Sequence, residues 1–203
     1  FALTPPDAPK LMEFMQAQDF RSLTVKVQHK WGGDLPVDTA SEEVITVTKD
    51  YSCVTDMAVL KDWITAAYDA GHVAVDTETT GLDATAAQLV GISLCIEPGK
   101  ACYIPVGHTG PGNDLLAERP YQLQKGEVIA ALKPLFEDPA VLKIGQNLKY
   151  DMSILAREGI NLSPIDDTML LSYALDAGLH NNGMDELSGI HLDIAPISFK
   201  EIA

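Results

Sequence analysis

The chain has 203 residues, 46% of them hydrophobic, with a formal net charge of −15 and a mean hydropathy of +0.05. This balance supports one real core with room for a small appendage, and the sequence holds no uninterrupted apolar run of the roughly 18 residues that a membrane helix needs. The acidic charge weighs against a self-sufficient nucleic-acid binder, because phosphates call for a basic surface, and such a role would need bound cations or a neighbouring basic domain.

The sequence opens at Phe1 without a signal-peptide pattern, and the expectation is a fragment of a longer protein. Residues 1–10 are Pro-rich and read as a linker. Leu11, Phe14, Met15, Phe20 and Leu23 suggest a short amphipathic helix in two registers. Residues 28–43 carry Gly32, Gly33 and Pro36 and read as a flexible linker, so the compact domain is expected from 44 to 203. Val44–Thr48 alternates like a strand. Thr55 or Asp56 can cap a helix through Tyr68 with Leu60, Trp63, Ile64 and Ala67 on one face, stopped by Gly71. Val73–Thr77 is an apolar strand. Leu89–Ile96 and Ala101–Val106 form a hairpin across Glu97-Pro98-Gly99-Lys100. Residues 107–120 read as a loop. Lys125–Phe136 is a helix with Val128, Ile129, Leu132 and Leu135 inward. Val141–Gly145 is a strand, and Leu148–Glu158 is a helix stopped by Gly159. Asp166 or Asp167 caps a helix to Leu175, and Met184–Gly189 starts another. This order predicts an α/β sandwich with a mixed sheet. Cys53, Cys95 and Cys102 lack metal-ligand spacing and read as reduced thiols of a cytoplasmic protein.

Two segments carry chemistry. Val73-Ala74-Val75-Asp76-Thr77-Glu78 is an apolar strand ending in carboxylates spaced i, i+2, which puts both on one face. Two adjacent acids raise one another's pKa, and a fold tolerates them most readily with a hard divalent cation between them. The plain alternative is a strand running into a polar turn, with both acids solvated. Gly145-Gln146-Asn147-Leu148-Lys149-Tyr150-Asp151 follows a strand and opens a helix. Asn147 and Asp151 are i, i+4 and are expected to share a face, with Leu155 one turn later pointing it inward. An inward carboxylate needs a partner, and a metal shared with Asp76 and Glu78 would satisfy all three acids. The alternative makes Asn147 an N-cap and Asp151 an exposed first-turn acid favoured by the helix dipole.

Asp76-Thr77-Glu78-Thr79 and Gln146-Asn147-Leu148-Lys149-Tyr150-Asp151 resemble the first and second motifs of the DnaQ-like 3′→5′ exonucleases, and in particular the proofreading domains of bacterial type I DNA polymerases. Leu89-Val90-Gly91-Ile92-Ser93, Glu97-Pro98-Gly99, Tyr103-Ile104-Pro105-Val106, Asp167-Thr168-Met169-Leu170 and Phe199-Lys200-Glu201-Ile202-Ala203 extend the likeness from about residue 50 to the end. Residues 11–27 resemble the segment joining an upstream 5′-nuclease domain to the proofreading domain. The resemblance implies a ribonuclease-H-like mixed sheet flanked by helices. It also implies hydrolysis with two divalent cations, Mg²⁺ or Mn²⁺ with Zn²⁺ admissible at one site, to give nucleoside 5′-monophosphates. In that reading Asp76 bridges both metals, Glu78 holds the tighter one, and Asp151 binds the second through water. Leu82 wedges against the terminal base, Gln146 and Asn147 contact the strand or support the site, and Phe199 packs on a terminal nucleotide. Plain core packing remains the alternative for Leu82 and Phe199. Tyr150 reads as core, and His108 and His180 read as loop residues without partners.

The resemblance further implies a frayed or single-stranded 3′ end of DNA as substrate, a polymerase domain on the same parent chain, a monomer, and a place in the bacterial cytoplasm beside the nucleoid. The third motif of such domains, a Tyr and an Asp on one later helix, has no counterpart before Ala203, so the C-terminal part of the fold is expected to be missing. Tyr173 and Asp176 have the wrong spacing to replace it. Three rival readings remain: a catalytically silent structural domain, a free-standing RNA exonuclease of the same fold, and an acidic protein–protein module that binds no divalent ion at the Asp76 face.

Overall fold

The structure is a computed structural model that describes residues 6–18, 20, 23–24, 26–27, 30, 48–109, 120–194 and 197. The chain divides into two compact units, Phe1–Thr46 and Val47–Ala203. In the first, helix α1 spans Ala8–Ala17. Its first turn is closed by Asp7, whose carboxylate accepts from the Lys10 N–H at 3.3 Å. Residues 8–10 are therefore helical rather than linker, because proline is tolerated in a first turn whose N–H groups have no helical acceptor.

The second unit is built on a sheet that has six strands among the described residues. These are β1 (Asp50–Cys53), β2 (His72–Thr79), β3 (Leu89–Glu97), β4 (Lys100–Pro105), β5 (Leu142–Gly145) and β6 (Ile165–Asp167). Their order across the sheet is β1-β4-β3-β2-β5-β6. The β2–β3 and β3–β4 pairs are antiparallel, whereas β1–β4, β2–β5 and β5–β6 are parallel. The mixed sheet expected from the sequence is present. The strand expected at Val44–Thr48 falls mostly outside the described residues; among those described, the strand beside β4 at the sheet edge is Asp50–Cys53. This strand and β6 are only four and three residues long. Neither carries an alternating pattern long enough to stand out, and both are held by a neighbour's ladder.

Helix α2 (Met57–Ala70) begins where the Asp56 side chain accepts from the Ala58 N–H at 2.6 Å, and it ends at Gly71 in the left-handed region with φ 70°. Leu60 and Ala67 are fully buried on its inner face. Helix α3 (Lys125–Glu137) buries Val128, Leu132, Leu135 and Phe136. Helix α4 (Lys149–Arg157) buries Asp151, Ile154 and Leu155. Helices α5 (Thr168–Leu175) and α6 (Met184–Leu192) follow β6. The core joins Val73, Val75, Ile92, Leu94 and Ile104 of the sheet to these helical residues. Burying such side chains is the main favourable term of the fold, at about 1.5–3 kcal/mol each. Among the described residues no helix is long and apolar enough to cross a membrane. Cys102 is buried, which pushes its thiol up to about 12 and keeps it protonated.

Candidate active site

Strand β2 sorts its side chains by alternation. Val73, Val75 and Thr77 point into the core at 0%, 3% and 7% exposure. Asp76 and Glu78 therefore share the opposite face, where both are exposed. Beneath them, Asp76 stands on the wall of a cavity of about 280 Å³ that is also lined by Ser93, Gln146, Thr168 and Met184.

Asp151 reaches the same strand from its edge. The β2–β5 ladder ends at the Ala74–Ile144 pair, and the chain then turns away through Gln146 and Asn147. The freed edge of β2 offers the Thr77 N–H, and Asp151 Oδ1 accepts from it at 2.9 Å and from Thr77 Oγ1 at 2.6 Å. At 3% exposure Asp151 is a buried acid rather than a solvated first-turn residue. Burial raises its pKa first and nearby Asp167 adds to the rise, against the lowering by the Thr77 hydrogen bonds. Asp76 is pushed up to about 6, chiefly by the low-dielectric walls around it, then by Asp151 and Glu78. One side of Asp76 is open to water, so the screened penalty is smaller than that value implies for a fully buried acid. Among the described residues no basic side chain pairs with Asp76, Glu78 or Asp151.

The turn before α4 differs from the sequence expectation. Asn147 lies outside the helix in the left-handed region, with φ 59°, so it does not share a helical face with Asp151. Asparagine tolerates that conformation better than most residues. Nor is Asn147 the N-cap. Asp167 takes that work from across the turn, accepting from the Asn147 N–H at 3.0 Å and the Leu148 N–H at 2.9 Å. The same carboxylate caps α5 through the Met169 N–H at 2.9 Å. One buried acid thus fixes two helix starts, and the sequence showed only the second. Gly145 is required here, because a Cβ on it would lie 2.9 Å from the Val75 carbonyl oxygen and would overlap Leu148.

The remaining candidates fall in different places. Gln146 Nε2 donates to the Asn182 carbonyl at 2.7 Å, and its Oε1 accepts from Thr168 Oγ1, so it braces the turn. Leu82 is 98% exposed, which removes the core-packing alternative. Tyr150 packs partly against the core, and its hydroxyl donates to the Gly81 carbonyl beside Thr79 Oγ1, pinning the turn that carries Leu82. Gly81 itself has open space around it and no positive φ. Phe199 lies outside the described residues.

Two residues were missed. His108 is not a free loop residue, because its Nε2 shares a hydrogen bond of 2.6 Å with the Tyr103 hydroxyl. The Tyr103 ring covers Gly91, where any Cβ would overlap it. Glu78 lies close enough to raise the Tyr103 pKa, after burial. Only the pairing of Gly91 with Glu78 and Pro105 across three strands brings these groups together.

Comparison with known proteins gives a consistent result. A family model described as 3′-5′ exonuclease matches residues 51–202. DNA polymerase I of Rhizobium leguminosarum is 41% identical over 189 residues, covering 85% of this chain and 19% of that protein. DNA polymerase I of Pseudomonas aeruginosa is 39% identical over 166 residues, covering 80% of this chain and 18% of that protein. The chain thus spans less than a fifth of the length of these relatives. Among solved structures, Escherichia coli RNase D, an exoribonuclease, shares the fold with a TM-score of 0.58 at 17% identity, covering 76% of this chain and 36% of that one. Brucella melitensis NrnC with bound Mg²⁺ shares it with a TM-score of 0.52 at 21% identity, covering 74% of this chain and 65% of that one.

Proposed function

The chain belongs to the 3′-5′ exonuclease family found in DNA polymerase I, and on that premise we propose that it trims 3′-terminal nucleotides from single-stranded or frayed DNA, releasing nucleoside 5′-monophosphates. The observation that carries this reading is Asp76 and Glu78 on one face of β2 with Asp151 at its edge, Glu78 and Asp151 both close enough to raise the Asp76 pKa.

The donor set fits two divalent cations of the Mg²⁺ or Mn²⁺ class. It is all carboxylate oxygen, burial and then the neighbouring acids Asp151 and Glu78 push Asp76 up to about 6, and no basic side chain among the described residues relieves it. Asp76, Glu78 and Asp151 would hold such cations. When bound, they supply the charge that makes water a nucleophile at neutral pH and that offsets the charge on the departing 3′-oxygen. The protein's own share is placement. Thr77 fixes the Asp151 carboxylate with two hydrogen bonds, Tyr150 fixes the turn bearing Leu82, and Asp167 with Gln146 fixes the turn between β5 and α4. Exposed Leu82 would meet the terminal base, a contact that any base can make. Asn147, also exposed, would face the strand, and Phe199 would stack on a nucleotide. A mismatched end unpairs at lower cost, which provides selectivity without base reading. In the parent protein the domain would serve the polymerase domain as a monomeric unit beside the nucleoid.

The test is degradation of a 3′-labelled single-stranded DNA oligonucleotide with Mg²⁺ or Mn²⁺. It compares this chain, a form extended at its C-terminus as in the longer relatives, and the Asp76→Ala and Asp151→Ala variants of each. Trimming from the 3′ end that both substitutions abolish supports the reading. An extended form that is inert with both metals overturns it in favour of a silent structural domain. Preference for an RNA oligonucleotide would overturn the choice of substrate.

A further inference from the structure

A second group of metal-competent side chains lies outside the carboxylate site. Asp176 ends α5, His180 sits in the following loop, and His191 lies in the last turn of α6. Their ligand atoms all stand within 4.8 Å of one another. Asp76, Glu78 and Asp151 do not form such a group, so the tightest metal-like cluster among the described residues is not the one the family motif marks.

The chemistry of His180 makes the cluster more than a coincidence of charge. Its side chain is 5% exposed. Its Nδ1 lies 2.8 Å from the Asn181 carbonyl oxygen. A carbonyl can only accept, so Nδ1 carries a proton, and in the neutral ring Nε2 is then the nitrogen with the lone pair. That lone pair faces Asp176 Oδ2 at 3.7 Å, too far for a hydrogen bond. In that neutral form two lone-pair bearers face each other, an arrangement that a cation between them would satisfy. A proton on Nε2 would serve two groups but leave the third unexplained. The His191 ring stands edge-on to His180 with centroids 6.3 Å apart and brings a third donor to the same point. Histidine ligands of metals commonly hold the other ring N–H on a backbone carbonyl, which is the arrangement of His180. Zinc–nitrogen and zinc–oxygen bonds of about 2.0–2.2 Å put two tetrahedral ligands roughly 3.4 Å apart, against 3.7 Å between His180 Nε2 and Asp176 Oδ2 and no more than 4.8 Å between any two of the three.

We propose that Asp176, His180 and His191 form a site for a borderline transition cation of the Zn²⁺ class, clipping the end of α5 to α6. Two imidazoles and one carboxylate suit Zn²⁺ better than Mg²⁺, which prefers oxygen alone. Exposed His191 leaves the fourth position open to water. The clip has a structural neighbour in the β5–α4 turn. The loop it anchors contains Asn182, which accepts from Gln146 at 2.7 Å and whose Oδ1 accepts from Ser172 at 2.8 Å. The site would therefore steady the segment that braces Gln146, without touching the acids of β2.

The test is Zn²⁺ titration against a chromophoric chelator in the Asp76→Ala/Asp151→Ala chain, which removes the carboxylate site from the readout and makes the result independent of exonuclease activity. Co²⁺ is then substituted to read nitrogen ligation from its visible absorption. The expected result is one tight equivalent. It should be weakened in His191→Ala by more than the roughly 10–100-fold that loss of an outer-shell partner costs, and Zn²⁺ should raise the melting temperature only when His191 is present. His191 is exposed, so its removal leaves the fold intact. His180→Ala is read beside it by circular dichroism. Failure to bind Zn²⁺, or binding that survives both histidine substitutions, overturns the proposal and leaves a simple His180–Asp176 ion pair.

Discussion

The β2–α4 region and the α5–α6 hairpin both gather titratable side chains, but the fold treats them differently. At β2 the groups come from a central strand and the first turn of a helix, and all their donor atoms are oxygen. Asp151 is locked onto Thr77, while enclosure and, after it, like charge push Asp76 up to about 6. At α5–α6 two of the three donors are imidazole nitrogens, the groups come from a helix end, a loop and a second helix, and their ligand atoms already converge. Convergence without a cation is cheap when the groups are mixed and expensive when all are acids. Proximity of ligand atoms is therefore a poor guide to which site carries the chemistry, and acids held in partial burial beside one another are a better one.

The comparison breaks most visibly if the acids are removed. Asp76→Ala should lower 3′-end trimming by on the order of 1,000-fold, in keeping with the several kcal/mol that metal-held charge supplies. Asp176→Ala should change trimming by less than about threefold, because it touches none of these acids. Equal losses in a labelled-oligonucleotide assay would merge the two regions into one site.

The second contrast is structural. Asp167→Ala removes acceptors from the Asn147, Leu148 and Met169 N–H groups and should cost about 2–3 kcal/mol in urea unfolding. Gly91→Ala forces Tyr103 off its seat and should cost about 1–3 kcal/mol. It should also lower trimming, since Tyr103 lies beside Glu78. A Gly91→Ala chain with full stability would mean that the Tyr103 ring is free to move.

The third is electrostatic. Folded Asp76, raised to about 6, still holds a proton where the unfolded chain has released it. Stability of the metal-free chain should therefore fall as pH rises from about 4 to about 6. Asp76→Asn removes that penalty and should stabilise the chain at neutral pH by about 1 kcal/mol after allowance for solvent screening. A variant whose urea midpoint follows the same pH course as the parent would show that Asp76 is not strained. The smallest effect belongs to Leu82. At 98% exposure, Leu82→Ala should shift stability by less than about 0.5 kcal/mol while weakening capture of single-stranded DNA ends in the trimming assay.

The sequence by itself determined the elements whose periodicity runs long enough to be read. Helix α2 with its Asp56 cap and Gly71 stop, the β3–β4 hairpin across Pro98-Gly99, and the apolar strand ending in Asp76 and Glu78 are local patterns. A backbone with 3.6-residue or two-residue repeats expresses such patterns wherever it lies. The family resemblance was legible for the same reason, since its motifs are contiguous. Tertiary structure alone decided the rest. Strands β1 and β6 are too short to declare themselves and exist through their partners' hydrogen bonds. Asp167 reaches back twenty positions to hold Asn147, and His108 finds Tyr103 only because β4 and the following loop fold together. Asn147 leaves the helix because the carboxylate that caps the turn comes from another strand. His180 gains His191 as a neighbour because α6 returns against the end of α5. Asp167 and Asn147 lie twenty positions apart, and even the five-residue step from Tyr103 to His108 depends on how β4 and its loop pack, which no local repeat announces.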